Sequence, residues 1–299
     1  MVKERVPEYV VSKPDEFAEK LANSLGLHYT PLTNYEIFPS GNETKQVLSE
    51  YDRLKRECVL FINRGKAPFD ANRVFVETLF MTGKLSEEYG CDVWTFLPGL
   101  PYAREDKGFE RGVVVARRRG IRDLERYCSY LFSVAEHGTR REDYVDELFF
   151  NFSPVKPVAD YARSLDLKDP LVLAPDGSSN EDVLEIARML GTNSEAFYKK
   201  RDLKTGNIVT NGDLGSLAGR NLLIYDDMLG KGGTMLTGID RGKMAGADRI
   251  VCIVGLDMSS VHEDGRLSHE LLRDTGAEIY ATNAVESEIG VIDIVPHIS

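Results

Sequence analysis

A chain of 299 residues is long enough for one large domain or two of ordinary size, with a substantial core in either case. Its 42% hydrophobic and 28% charged content are those of a soluble globular protein. The net charge of −11 excludes a broad nucleic-acid footprint, which needs Lys and Arg in excess, but leaves room for a small anionic substrate in a locally cationic cleft.

Taken in chain order, the opening MVKERVPEYVVSKPDEFAEK is too polar for a signal peptide, and no apolar run of about 18 residues follows anywhere. A cytoplasmic protein with no membrane partner is therefore expected. PDEFAEKLANSLG has helical spacing and a Gly stop. CVLFINRG reads as a strand, VETLFMTGKLSEEYG as a helix, and DVWTFLPG and YLFSVAEH as strands. Their polar tips are FLPGLPYAREDKGFE and FSVAEHGTRRE. Between them VVVARRRGIRDLER carries many arginines, which suit a solvated helix face or one at a subunit contact. The Pro-bearing segment FFNFSPVKPVADYA breaks the alternation near residue 152. Beyond it come the helix VKPVADYARSLD, the strand PLVLAPDG, the helix NEDVLEIARMLG and the strands AFYKKRD and NLLIYDD. The helix GTMLTGIDRGKMAG and the strands RIVCIVGLD and EIYATNAV complete the series.

Alternating strands and helices predict parallel sheet covered on both faces. The expectation is two α/β domains, residues 1–152 and 153–299, with the last residues returning to the first. The four cysteines, Cys58, Cys91, Cys128 and Cys252, form no C-x-x-C pair and are expected as buried thiols in a reducing compartment.

Three strands of the second half run into polar or glycine-rich tips: VLAP-DGSSNE, FY-KKRD and LIY-DDMLGKGGT. Ligands of open α/β sheets bind beyond the carboxyl ends of strands, so these tips predict one cleft. The last tip first suggests a P-loop. That motif requires a Gly five residues before Gly230 and a Ser or Thr after Lys231; Tyr225 and Gly232 stand there instead. What remains is a strand ending in Asp226 and Asp227, a loop with Lys231, Gly232, Gly233 and Thr234, and a helix opening at Met235. Loop amides and a helix N-terminus suit a phosphate, and the adjacent carboxylates suit the vicinal hydroxyls of an attached ribose. The same residues also describe a tight turn with two solvated acids. KKRD taken alone equally describes a solvated turn.

LLIYDDMLGKGGTM resembles the phosphoribosyl-diphosphate loop of phosphoribosyltransferases, and more closely that of ribose-phosphate pyrophosphokinases. LPYAREDK is similar to that family's P-Y-A-R-Q-D-K segment, FYKKRD to its K-R-R catalytic loop, and VLAPDGSSN to its S-P-D-x-G-G loop. NYEIFPSGNE resembles F-x-D-G-E, and EIYATNAV the late V-T-N-T-I strand. The resemblance covers residues from about 14 to 290 and implies two phosphoribosyltransferase-like domains, each a mainly parallel sheet flanked by helices.

The resemblance also implies a reaction: transfer of the β,γ-diphosphate of ATP to the anomeric hydroxyl of ribose 5-phosphate, giving phosphoribosyl diphosphate and AMP. Lys199 and Arg201 would stabilise the transferring group from a loop. Asp226 and Asp227 would hold the ribose hydroxyls, and Lys231, Gly232, Gly233 and Thr234 its 5-phosphate. Asp176, Gly177, Ser178 and Ser179 would form the diphosphate loop. His137 and Asp176 would be Mg2+ ligands, with phosphate oxygens completing the shell. Arg104, with Glu105 and Asp106 beside it, would contact ATP, and Phe38 would stack on adenine from a neighbouring subunit of a homo-oligomer, a dimer or hexamer.

Several departures touch the substrate loops. Gly230 and Lys231 replace the Asp-Thr of the family's D-T-A/G-G-T loop, Ser178 and Ser179 replace a Gly-Gly pair, and Asp182 stands where Arg is common. Glu105 replaces Gln, and Ser40 with Asn42 replace Asp and Glu. The wider, more cationic loop also suits a larger 5-substituted ribose such as ADP-ribose, which would place the enzyme in NAD supply. A non-catalytic, regulatory member of the family is the reading from a different class.

Overall fold

The computed structural model describes residues 5–37, 44–48, 51–103, 115–135, 149–201, 208–212 and 214–299. The chain divides into two compact units. One comprises Met1–Gly65, Asp70–Phe152 and Val295–Ser299; the other comprises Lys66–Phe69 and Ser153–Ile294.

In the first unit the elements are β1 (Tyr9–Ser12), α1 (Glu16–Leu25), β2 (His28–Ile37), β3 (Thr44–Leu48), α2 (Tyr51–Leu54) and β4 (Cys58–Ile62). They continue with α3 (Ala71–Gly83), β5 (Asp92–Phe96), α4 (Ala116–Leu124), β6 (Tyr130–Val134) and β7 (Phe149–Phe152). The sheet order is β3-β2-β1-β4-β5-β6-β7, parallel throughout except for antiparallel β2 and β3. Capping explains the two long helix starts. Asp15 accepts from the Phe17 N–H at 3.1 Å, and Asp70 accepts from the Arg73 N–H at 3.0 Å. The arginine-rich segment forms α4. Arg118, Arg119 and Arg122 are exposed as expected, but Arg117 is buried.

The second unit holds α5 (Val155–Ser164), β8 (Leu171–Ala174), a 3-10 turn (Gly177–Ser179), α6 (Asn180–Leu190), β9 (Asn193–Ala196), β10 (Tyr198–Arg201) and β11 (Ile208–Asn211). After these come β12 (Asn221–Leu229), α7 (Gly233–Met244), β13 (Arg249–Asp257), α8 (Ser268–Arg273), β14 (Glu278–Thr282) and β15 (Gly290–Ile292). Its sheet, β15-β14-β13-β12-β8-β9, is parallel throughout. Alternate residues of β12 enter two separate cores: Leu222 and Ile224 one, Leu223 and Tyr225 the other. Burial on both faces is why residues 222–225 form an apolar run. A last helix, α9 (Val295–Ile298), belongs to the first unit. All four cysteines are buried free thiols.

Two expectations change. AFYKKRD is not one strand of the sheet. Ala196 ends the edge strand β9, Phe197 is fully buried, and Tyr198–Arg201 pairs antiparallel with β11 as a separate two-stranded ribbon. Consecutive cations cannot be buried on both faces of a parallel sheet, so the chain leaves it at Phe197. The strand before the glycine loop also extends past its two acids, because the β12–β13 ladder continues through Met228↔Leu256 to Leu229↔Asp257.

Candidate functional site

The order of the second sheet defines where a ligand can enter. From β8 the chain moves outward to β9, then returns to the other side of β8 as β12 and proceeds to β13, β14 and β15. The strand order therefore reverses between β8 and β12. In open parallel sheets the crevice at such a reversal, beyond the carboxyl ends, is the binding position. The two loops that leave β8 and β12 there are residues 175–179 and 230–232.

After β8, Asp176 accepts from the Ser178 N–H at 3.0 Å and from the Ser178 hydroxyl, folding the loop into the 3-10 turn. Gly177 and Ser178 are exposed, while Ser179 is buried. The buried hydroxyl has a purpose: Ser179 Oγ donates to Asp226 Oδ1 at 2.5 Å, tying the first loop to β12. The Asp227 N–H lies 3.1 Å from the same Asp226 oxygen and 3.4 Å from Ser179 Oγ. Asp226 and Asp227 are only 4% and 6% exposed, so neither is a solvated surface acid.

Beneath them the first turn of α6 brings in a third carboxylate. Burial, and then the charge of Asp227, push the Asp182 carboxyl up to about 6, against a lowering contribution from the Tyr225 hydroxyl 3.4 Å away. Burial likewise holds the Tyr225 phenol well above its usual range. Sequence comparison marked Asp182 as a departure but gave no sign that it lies against the Asp-Asp pair. That proximity arises from packing of α6 on β12.

Beyond β12, Gly232 adopts φ 81°, a left-handed conformation that glycine reaches without strain, and α7 begins at Gly233 rather than at Met235. Thr234 therefore lies within the first turn. The Leu236 N–H makes the helix bond back to the Gly232 carbonyl at 2.9 Å, and first-turn amides of a helix have no carbonyl of their own helix to bond. Lys231 is exposed, and a Cβ added at Gly233 would meet nothing within 4 Å. The loop thus combines open space at Gly233, an exposed cation and a helix N-terminus, features that suit a phosphate.

The structure thus gathers Asp176, Gly177, Ser178, Ser179, Asp226, Asp227, Lys231, Gly232, Gly233 and Thr234 at one end of one sheet. The backbone of Lys199 and Arg201 lies in the ribbon strand β10 rather than in a loop. Phe38, Arg104, Glu105, Asp106 and His137 lie outside the described residues. Among the described residues no group of three or more His, Cys, Asp or Glu is placed to hold a metal ion.

Sequence reasoning also missed a buried set behind the loop: Asp257, Ser259 and His269. Spread over 13 positions and matching no motif, it becomes a cluster only when α8 folds back on the end of β13.

No protein-family model matches the chain. It is 27% identical over 270 residues to the ribose-phosphate pyrophosphokinase of Pyrococcus furiosus, covering 90% of this chain and 92% of that one. It is 25% identical to the Sulfolobus acidocaldarius ribose-phosphate pyrophosphokinase over 267 residues, 87% of each chain. Against ribose-phosphate pyrophosphokinase 2 of Saccharomyces cerevisiae it is 23% identical over 284 residues, 94% of this chain and 86% of the yeast protein. In fold it matches the crystal structure of phosphoribosylpyrophosphate synthetase from Mycobacterium smegmatis with a TM-score of 0.78 at 20% identity, covering 97% of this chain and 96% of that one. Over 90% of its length this chain is similar to a ribose-phosphate pyrophosphokinase.

Proposed function

We propose that the protein is an ATP-dependent diphosphokinase that transfers the β,γ-diphosphate of ATP to the anomeric hydroxyl of ribose 5-phosphate. The observation that carries this reading is the bond between Ser179 and Asp226, which joins the diphosphate-type loop to the Asp-Asp strand at the reversal of the sheet. Diphosphate and ribose must meet within bonding distance, and these two loops are the pair that meets.

In the reaction the anomeric oxygen attacks the β-phosphorus of ATP, forms the new P–O bond and loses its proton. The bond from that phosphorus to the α–β bridging oxygen breaks, and AMP leaves with the electron pair. Such chemistry asks the protein for alignment and charge neutralisation. Asp226 and Asp227 accept from the ribose hydroxyls. The first-turn amides at Gly233 and Thr234, with Gly232 and Lys231, hold the 5-phosphate. Gly177 presents its amide to the diphosphate, Ser178 turns to it from Asp176 as the ligand binds, and Lys199 and Arg201 on β10 neutralise the charge that builds on the transferring group. Phe38, Arg104, Glu105 and Asp106 are assigned to ATP by the family resemblance.

Mg2+ favours one or two carboxylates with substrate phosphates and water completing its shell. Asp176, partly exposed at the loop after β8, fits an ion that arrives with the nucleotide; the resemblance assigns His137 to the ion as well. Bound there, Mg2+ would neutralise phosphate oxygens. No helix among the described residues is long and apolar enough to cross a membrane. A cytoplasmic location and a homo-oligomer, dimer or hexamer, are part of the same reading.

One observation favours a second acceptor. The open space at Gly233 and the exposed Lys231 leave room and charge for a 5-diphosphate, so ADP-ribose is the alternative substrate of the same transfer. The deciding experiment incubates the protein with ATP and Mg2+ and measures AMP with ribose 5-phosphate and, separately, with ADP-ribose. AMP with ribose 5-phosphate is expected. AMP with ADP-ribose alone would transfer the conclusion to the larger acceptor, and none with either would leave a nucleotide-binding regulatory protein.

A further inference from the structure

Behind the glycine loop, on the side away from α6, lies a set of side chains that no step above uses. The end of β13 runs beside the end of β12, with Leu229 opposite Asp257. From there the next residues follow the loop itself: the Met258 N–H donates to the Leu229 carbonyl at 3.0 Å, and the Ser260 N–H to the Gly230 carbonyl at 3.3 Å. Residues 258–260 therefore form a backing strip that holds the first residue of the loop by its main chain.

That strip is fixed from within. Asp257, fully buried, accepts from the Ser259 N–H at 3.1 Å and from the Ser259 hydroxyl at 2.6 Å. His269, also fully buried, places Nδ1 2.8 Å from Asp257 Oδ2 and 3.1 Å from Ser259 Oγ. The His269 main-chain N–H donates to Ser259 Oγ at 3.2 Å. On the far side of the ring, Nε2 is 3.3 Å from Glu288, which also pairs with Arg273. Burial works against the charged form of both Asp257 and His269. Even so, bonding from His269 and Ser259 holds the Asp257 carboxyl below its usual range, and Asp257 with Glu288 holds the His269 imidazole above its own. Each partner favours the charged form of the other, at a contact enclosed by the fold.

The same histidine sits in the first turn of α8, and that turn reaches the loop directly. The Ser268 N–H donates to the Ser260 carbonyl at 3.1 Å, and the His262 ring bonds to the Ser268 hydroxyl at 3.0 Å. A Cβ on Gly232 would lie 3.6 Å from Ser268 Cβ and 3.7 Å from Leu272 Cγ. The wall of the loop is therefore the N-terminal turn of α8, and the Asp257–His269 pair holds that turn in place.

We propose that Asp257, Ser259 and His269 are positioning residues that fix the Gly230–Gly232 loop and thereby set affinity for the 5-substituent of the acceptor ribose without touching it. This rests on the reading of Gly230–Thr234 as the acceptor loop, and the test separates the two. Amide hydrogen exchange at residues 230–234 is measured without substrate in the wild type, in His269→Ala and in the milder Ser259→Ala. Breaking a bond to a buried charged group should speed exchange there by about tenfold or more, with β8 and β12 unchanged. In turnover assays His269→Ala should raise the acceptor KM by about tenfold while leaving the KM for ATP in place, and His269→Asn, which keeps an amide donor toward Asp257, should restore much of it. Exchange raised everywhere, with both KM values moved together in both Ala variants, would overturn the positioning role in favour of a general folding role. Unchanged exchange at 230–234 in both Ala variants would overturn the brace. Faster exchange with an unchanged acceptor KM would overturn the assignment of the loop to the acceptor.

Discussion

Asp182 provides a direct test of the electrostatics beneath the site. It stands in the first turn of α6, where a helix dipole ordinarily favours a carboxylate, yet burial and the neighbouring Asp227 push its pKa from 3.8 up to about 6. At about 1.4 kcal/mol for each tenfold change in proton affinity, the rise from 3.8 to about 6 separates the two protonation states by about 3 kcal/mol. The sign follows from proton binding. The folded protein holds this proton more tightly than the unfolded chain, so its stabilising contribution is full below pH 3.8. It declines as the pH rises through the interval and is gone above about 6. Asp182→Asn removes the charge and retains an oxygen for the Tyr225 hydroxyl, now 3.4 Å from the carboxylate. Urea unfolding at pH 8 should show the variant more stable by up to about 3 kcal/mol, with the gap closing toward pH 4. A difference between the two proteins that is constant across that range would refute the reasoning, because it would mean that no proton is exchanged at this position on unfolding.

Lys199→Ala should reduce turnover by about two to three orders of magnitude, the scale of removing one transition-state donor, with ATP affinity largely retained; single-turnover AMP release checks this. Ser179→Ala removes the hydroxyl that joins the two loops and leaves Asp226 Oδ1 with the Asp227 N–H, so stability should fall by about 1–3 kcal/mol in denaturant titration. In Gly242→Ala the new Cβ would stand 2.4 Å from Leu222 Cδ2 and 3.2 Å from Ile250 Cδ1. The variant should lose about 1–3 kcal/mol by overpacking between α7 and the sheet, read as a lower thermal midpoint. Gly233→Ala meets nothing within 4 Å and should leave the midpoint unchanged while raising the acceptor KM.

Much of the second sheet was legible because its central strands are buried on both faces. In the strand Asn221–Leu229 the four residues 222–225 are apolar and buried, so the two acids that follow stand out. Helices with a Gly stop were legible for the same local reason: Gly26 and Gly191 both close helices in the left-handed conformation. Short or polar strands gave no such signal. Asn193–Ala196 is an edge strand with alternating exposed and part-buried residues, and its pairing with β8 is decided by the sheet rather than by its own composition. The excursion at Phe197 is of the same kind. The ring is buried under the Arg241 guanidinium, 4.7 Å from its centroid, while the following residues leave the sheet, and no spacing of residues reports where a chain departs from a ladder.

The site was legible where one loop carries its own chemistry and illegible where chemistry arises between loops. Glycines, an exposed lysine and adjacent acids in 226–234 suggest a phosphate and a ribose in a single stretch. Nothing in that stretch states what keeps it in shape. Its conformation depends on Ser179 from one side and on the Met258–Ser260 strip from the other, and that strip in turn depends on a histidine nine residues farther along. A loop rich in glycine loses more backbone freedom on ordering than any other, so its rigidity must come from neighbours that are themselves rigid. The buried Asp257–His269 contact, 2.8 Å long, joins α8 to the end of β13 and is the neighbour proposed for that role. On the proposed reading Gly230 and Lys231 face the substrate, while the loop that carries them is held by partners elsewhere in the chain, the Met258 and Ser260 amides.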